Sequence, residues 1–132
     1  MPHVILEGQF DLPAAHKAFA PGRGDANGWI VKLKEAYLAG NGRCILVDCT
    51  AVRSGFSQDF YLAVEHKGGA VTVRVDPYMR IERNEGTRRA ILAVTRWLVG
   101  AAPGAKLSKT NLPPELEGDL AAIFATPAGG AD

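Results

Sequence analysis

Polar and apolar positions alternate most clearly in two neighbouring runs. Phe60, Leu62 and Val64 are separated by Tyr61 and Ala63 and flanked by Asp59 and Glu65, and Val71, Val73 and Val75 alternate with Thr72, Arg74 and Asp76. Period-2 runs joined around Lys67-Gly68-Gly69 predict a β-hairpin. The rival is a helix from Ser57 to Lys67, with Ser57 as N-cap and Gly68 just past its end. The hairpin is preferred because the second run is plainly a strand and the first shares its period.

The other elements follow the same logic. His3 to Phe10 is short, β-branched at its centre and stopped by Asp11, so it reads as a strand. Asp11 as N-cap with Pro13 in the first turn predicts a short helix over 12–19. Residues 21–28 concentrate turn chemistry and read as a surface loop. Trp29, Leu33, Ala36 and Tyr37 recur at helical spacing, predicting a helix between Asn27 and Gly40. Asn41-Gly42 then turns the chain into Arg43–Cys49, a nearly continuous apolar run that suits a strand buried on both faces. Residues 79–83 suggest a further strand. Ile91, Val94 and Leu98 mark a helix over 87–99, and Pro113-Pro114 open a last one from Glu115 to Phe124.

Assembled, the order is that of an α+β fold: one domain over 1–126, its sheet antiparallel or mixed with helices packed on one face, and a flexible tail over 127–132. The helical reading of 57–67 gives the alternative, an α/β order with more parallel strands. That order is the one a resemblance implies. Leu6-Glu7-Gly8-Gln9-Phe10-Asp11-Leu12-Pro13-Ala14-Ala15 and Ile45-Leu46-Val47-Asp48-Cys49-Thr50-Ala51-Val52 resemble the two opening strand motifs of STAS domains, of the anti-anti-sigma type. Those domains continue into an Asp-Ser-Ser-Gly-Leu loop with a phosphorylated serine. Here the chain reads Arg53-Ser54-Gly55-Phe56, so Ser54 lacks the motif's preceding aspartate.

Composition adds little beyond a globular class: 132 residues, 47% hydrophobic and 22% charged, with a net charge of +1. No apolar run is long enough for a membrane span, and Met1-Pro2-His3 begins without signal-peptide regions. Two cysteines make no disulfide framework, which points to a cytoplasmic setting. The charge is unevenly placed, however. Residues 80–109 hold seven basic side chains against two acidic, and residues 110–132 hold four acidic and no basic ones. An acidic segment that packs beside the basic one explains this layout; so does a basic face for which the acidic segment competes.

Candidate chemistry is sparse. Cys44 and Cys49, five apart on one strand, point to opposite faces and read as core cysteines. The three histidines are far apart and no metal-ligand spacing occurs, so neither a metal nor a cofactor is expected. Asp48 beside Thr50, near the end of an apolar strand, is the one carboxylate in a possible pocket. Gly22-Arg23-Gly24 with Gly28 misses the dinucleotide fingerprint by one position. The arginine-rich stretch is left: Arg80, Arg83, Arg89 and Arg96 are expected to form an exposed anion- or partner-binding surface. The Gly86-Thr87 helix start is expected to offer further free N–H groups. These features favour a non-catalytic binding or regulatory domain that forms a homo-oligomer. The alternatives are a nucleic-acid-associated protein using the arginine face and a small enzyme using Asp48.

Overall fold

The computed structural model describes residues 2–125. Its strands are β1 (His3–Glu7), β2 (Gly22–Ala26), β3 (Trp29–Leu38), β4 (Cys44–Arg53), β5 (Phe56–Lys67), β6 (Ala70–Val75) and β7 (Lys106–Thr110). The helices are α1 (Leu12–Ala18), α2 (Glu85–Ala101) and α3 (Glu117–Ala125), the last preceded by one 3-10 turn, Pro114–Leu116. All seven strands join one curled sheet in the order β2-β3-β4-β5-β6-β1-β7. Every pairing is antiparallel. Consecutive hairpins build β2 to β6, and β1 and β7 extend the sheet beyond β6.

The hairpin over 57–76 forms, with Leu62 opposite Val75 and Lys67 opposite Ala70. The helical rival for 57–67, and the α/β order it carried, are therefore corrected. Strand β4 is not buried on both faces: Ile45, Val47, Cys49 and Ala51 are inside, while Cys44, Leu46, Asp48 and Thr50 are half-exposed.

The expected helix over 28–40 is strand β3, and the reason is local. Leu33 pairs with Cys49 and Glu35 with Asp48, so Lys34 is an extra residue, a β-bulge. The bulge flips the parity of burial, from Trp29, Val31 and Leu33 to Ala36. A strand whose alternation skips one step shows apolar residues at i, i+4 and i+7, which imitates a helix. The expected loop over 21–28 is strand β2 plus the two-residue turn Asn27-Gly28, both at positive φ (53° and 80°). Those values fit a type I′ hairpin turn, so Asn27 caps no helix. Residues 79–83 form no strand. The Gln58 side chain pins them instead, donating to the Glu82 carbonyl at 2.8 Å and accepting from the Glu82 N–H at 3.0 Å. Strand β7 has no expected counterpart, and the expected tail, 127–132, lies outside the described residues.

Helix α2 closes the core. Ala90, Ile91, Val94 and Leu98 are fully buried, and α2 touches β3, β4, β6 and β1. Its buried hydroxyls are satisfied within the chain: Thr95 donates to the Ile91 carbonyl at 2.8 Å and Thr87 to the Asn84 carbonyl at 2.7 Å. Helix α1 docks through Trp97, whose indole N–H donates to the Ala15 carbonyl at 3.0 Å and whose ring meets Phe19 edge-on.

The tightest approach of helix to sheet is at Gly86. A Cβ there would stand 2.7 Å from two Trp29 ring carbons and 2.8 Å from Ala51 Cβ. Alanine improves helix propensity by about 1 kcal/mol, but overpacking costs about 1–3 kcal/mol and more where neighbours cannot yield. Gly86→Ala is therefore expected to lower stability by about 1–2 kcal/mol in urea unfolding. Unchanged or increased stability would show that α2 is not fixed at this contact.

Candidate functional site

An open cleft lies between the β2–β3 hairpin and helices α2 and α3, with a volume of about 410 Å³. That is within the range of roughly 300–1,000 Å³ usual for small-molecule sites. Its origin is legible in the strand register. Gly22, Gly24 and Ala26 pair with Leu33, Val31 and Trp29, whose side chains are buried, so these small residues face inward. A Cβ on Gly22 or Gly24 would meet nothing within 4 Å. The edge strand thus supplies backbone but almost no inward side chain, and the space beneath it stays empty. The cleft is lined by Trp29, Val31 and Leu33 on the sheet side and by Leu92, Ala93 and Ile123 on the helix side.

Charged side chains border this apolar space, Arg23, Asp25, Arg89, Arg96 and Asp119 among them. Arg96 is exposed and has no ion-pair partner among the described residues. Arg89 is held: its Nε donates to Glu85 Oε2 at 2.6 Å and its Nη1 to Asp119 Oδ2 at 3.3 Å. The Trp29 indole N–H, inaccessible to solvent, has no acceptor among the described residues, a deficit worth about 1–3 kcal/mol.

The network around Arg89 ties the walls together. The Asn27 amide, in the turn after β2, donates to both oxygens of Glu85 at 3.2 and 3.0 Å. Through Glu85, Arg89 and Asp119 it links the hairpin tip to α2 and α3. The Asn27 hydrogen bond, reinforced by Arg89, holds the Glu85 carboxyl below the usual glutamate range.

The expected arginine surface divides. Arg89 and Arg96 line the cleft, whereas Arg80 and Arg83 do not. Arg89, expected to be exposed, keeps only 17% of its side-chain surface. Arg80 is exposed in the segment before α2, and Arg83 is half-buried there, its carbonyl lying 3.5 Å from Arg88 Nη1. The expected anion position at Gly86-Thr87 is occupied by the chain itself. Asn84 Oδ1 accepts from the Thr87 N–H at 3.2 Å, and Gly86 is pressed on Trp29. Of the described acidic residues in the C-terminal segment, Asp119 is the one that pairs with an arginine.

Compared with family models, curated proteins and solved structures, the chain matches none.

Asp48 and Thr50 lie on the other face of the sheet and do not line the cleft. Asp48 pairs with the bulged Lys34 at 3.3 Å, and Lys34 also reaches Asp59 at 3.2 Å. Thr50 donates to Asp59 at 2.5 Å. That hydrogen bond, followed by the one from Lys34, lowers the Asp59 carboxyl. Burial opposes the charge on Lys34, but hydrogen bonds to Asp59 and Asp48 outweigh it and raise its ammonium. Cys49 is buried, and burial with Asp48 nearby pushes its thiol up to about 12. Cys44, expected in the core, is half-buried on the outer side. Among the described residues no three His, Cys, Asp or Glu side chains gather as a metal site, and no helix is long and apolar enough to cross a membrane.

A carboxyl with a depressed folded pKa stabilises the fold fully above its unfolded value, about 4.3 for glutamate, and loses that contribution as pH falls through the folded value. Glu85→Gln should therefore be less stable than the native chain at pH 7, and the difference should shrink as pH falls below about 4. Urea midpoints across a pH series read this. A difference independent of pH would mean that the Glu85 charge contributes nothing.

Proposed function

We propose that this chain is a non-catalytic binding domain whose cleft takes a small amphipathic anion. The ligand's apolar body lies along Val31, Leu33, Leu92 and Ile123, and its anionic end meets Arg96 at the rim. The observation that carries this reading is the unfilled space under Gly22 and Gly24, bordered by an arginine that has no ion-pair partner among the described residues. Empty apolar volume beside a fixed cation matches the usual build of a ligand site, mostly apolar with a few polar anchors. The division of the arginines favours a compact anion over a nucleic acid, which draws on a continuous basic stripe. Asp48 faces open sheet surface and is already paired to Lys34, so the reading includes no catalytic step.

Anilinonaphthalene sulfonate, an aromatic body with one sulfonate, is a suitable probe. It is expected to bind the native chain saturably and to quench tryptophan emission through Trp29. Gly24→Leu places a side chain in the cleft without backbone strain, because Gly24 is not at positive φ. It should weaken binding by about tenfold or more, while stability holds or rises by up to about 1 kcal/mol as the strand loses a glycine. Arg96→Ala should weaken binding about two- to fivefold, in line with an exposed charge pair. Equal binding by the native chain and Gly24→Leu would place the ligand elsewhere, and no saturable binding would overturn the reading.

A further inference from the structure

Sheet edges are templates for pairing, and this sheet treats its two edges differently. Strand β7 carries Lys106 and Lys109, and its pairing with β1 shifts register between Ile5 and Leu6. Lysines and irregularities of this kind discourage strand addition. Strand β2 has neither. Its five residues are all exposed, pair with β3 without a shift, and include no lysine or proline.

The backbone of β2 is set up for a partner. A two-residue type I′ turn makes Ala26 and Trp29 a hydrogen-bonded pair, so Ala26, Gly24 and Gly22 turn their N–H and C=O groups toward β3. By alternation, Arg23 and Asp25 turn theirs to the open edge. Their side chains share the outer face, opposite to that of Gly24, where the Arg23 guanidinium meets the Asp25 carboxylate at 3.0 and 3.2 Å. Directly across the β2–β3 pair, Arg23 faces Lys32, another cation.

We infer that β2 is a self-complementary edge that pairs antiparallel with β2 of a second copy about a twofold axis at Gly24. In that register Arg23 of each copy stands opposite Asp25 of the other. The two facing pairs are the positions whose backbone groups are free, which gives four backbone hydrogen bonds. Each carboxylate also arrives beside the Arg23–Lys32 pair and relieves its like-charge contact. The sequence Gly-Arg-Gly-Asp-Ala reads as its own partner because opposite charges sit symmetrically about a glycine. The inference uses the open edge of β2 rather than the apolar floor of the cleft, although Arg23 and Asp25 also border that cleft.

The test is sedimentation equilibrium up to about 1 mM subunit on four chains: native, Arg23→Asp, Asp25→Arg, and the double exchange Arg23→Asp with Asp25→Arg. The native chain is expected to form dimers that weaken with added salt. Each single change turns two attractive facing pairs into two repulsive ones and should weaken dimers about tenfold or more. The double exchange should restore self-association. Mixed with the native chain under distinct labels, it should refuse to form mixed dimers, because arginine would then face arginine. Urea unfolding checks that all four monomers fold alike. A native chain that stays monomeric, single variants that dimerise as tightly as it does, or free mixing of native and exchanged chains would each overturn the inference.

Discussion

Helix α2 is fixed to the sheet where Gly86 meets Trp29, and most of the remaining structure follows from that contact. With no side chain at Gly86, the indole lies directly on the helix backbone, with Phe56 edge-on at 5.8 Å and the Arg53 guanidinium 5.6 Å from the ring centre. The close approach lets Ala90, Ile91, Val94 and Leu98 reach full burial. Later along the same helix, Leu92, Ala93 and Arg96 face the inner side of β2, where the opposing residues are two glycines and an alanine. One helix therefore closes a dense core at its beginning and walls an open cleft further on. Trp29 belongs to both.

Where the sequence pattern misleads, the cause is local and differs from one element to the next. The hairpin over 57–76 is legible because its alternation is unbroken on the inner face. Strand β3 is hidden because Lys34 bulges and shifts the alternation by one, even though Trp29-Ile30-Val31 carries strong β preference. Strand β2 is hidden by composition. Glycine is poor in strands and rich in turns, so Gly22-Arg23-Gly24-Asp25 reads as loop unless the type I′ signal of Asn27-Gly28 is read first. Segment 79–83 has strand-like alternation but its polar partner is the Gln58 side chain, which no periodicity reveals. Strand β7 is short and mostly exposed, so it has no inner face to announce it. The cleft was out of reach for the same reason as β2, because it exists only once Gly22 and Gly24 are placed on an edge with their inner side unfilled.

Charge layout was legible along the chain but not in space. The basic segment followed by the acidic one does bring α2 beside α3, and Asp119 does reach Arg89 at 3.3 Å. Yet the shorter bond of Arg89 is to Glu85, four residues earlier on its own helix. That i,i+4 pair sits in the first turn, where a carboxylate also complements the helix dipole. Arg96, two turns on, has no acid at i−4: the residue there is Leu92. Two arginines on one helix face therefore differ by their neighbours. One is a structural tie between hairpin, α2 and α3, and the other is exposed with no acidic partner among the described residues.

The small residues of β2 impose a condition that the network around Glu85 meets. An edge strand whose inner face is Gly22, Gly24 and Ala26 buries almost no apolar area, so the hydrophobic effect does little to hold it down. Its attachments are the ladder to β3 and the turn at its end. The turn is stiffened by two residues at positive φ and anchored by the Asn27 amide on Glu85. Glu85 in turn holds the Arg89 guanidinium at 2.6 Å. The polar tie thus replaces the packing that larger residues would have provided, and it does so from outside the apolar space. Filling β2 with valine or leucine would secure the strand by ordinary burial and close the cleft. Keeping it empty requires that the strand be fixed from its tip, which is the position Asn27 holds.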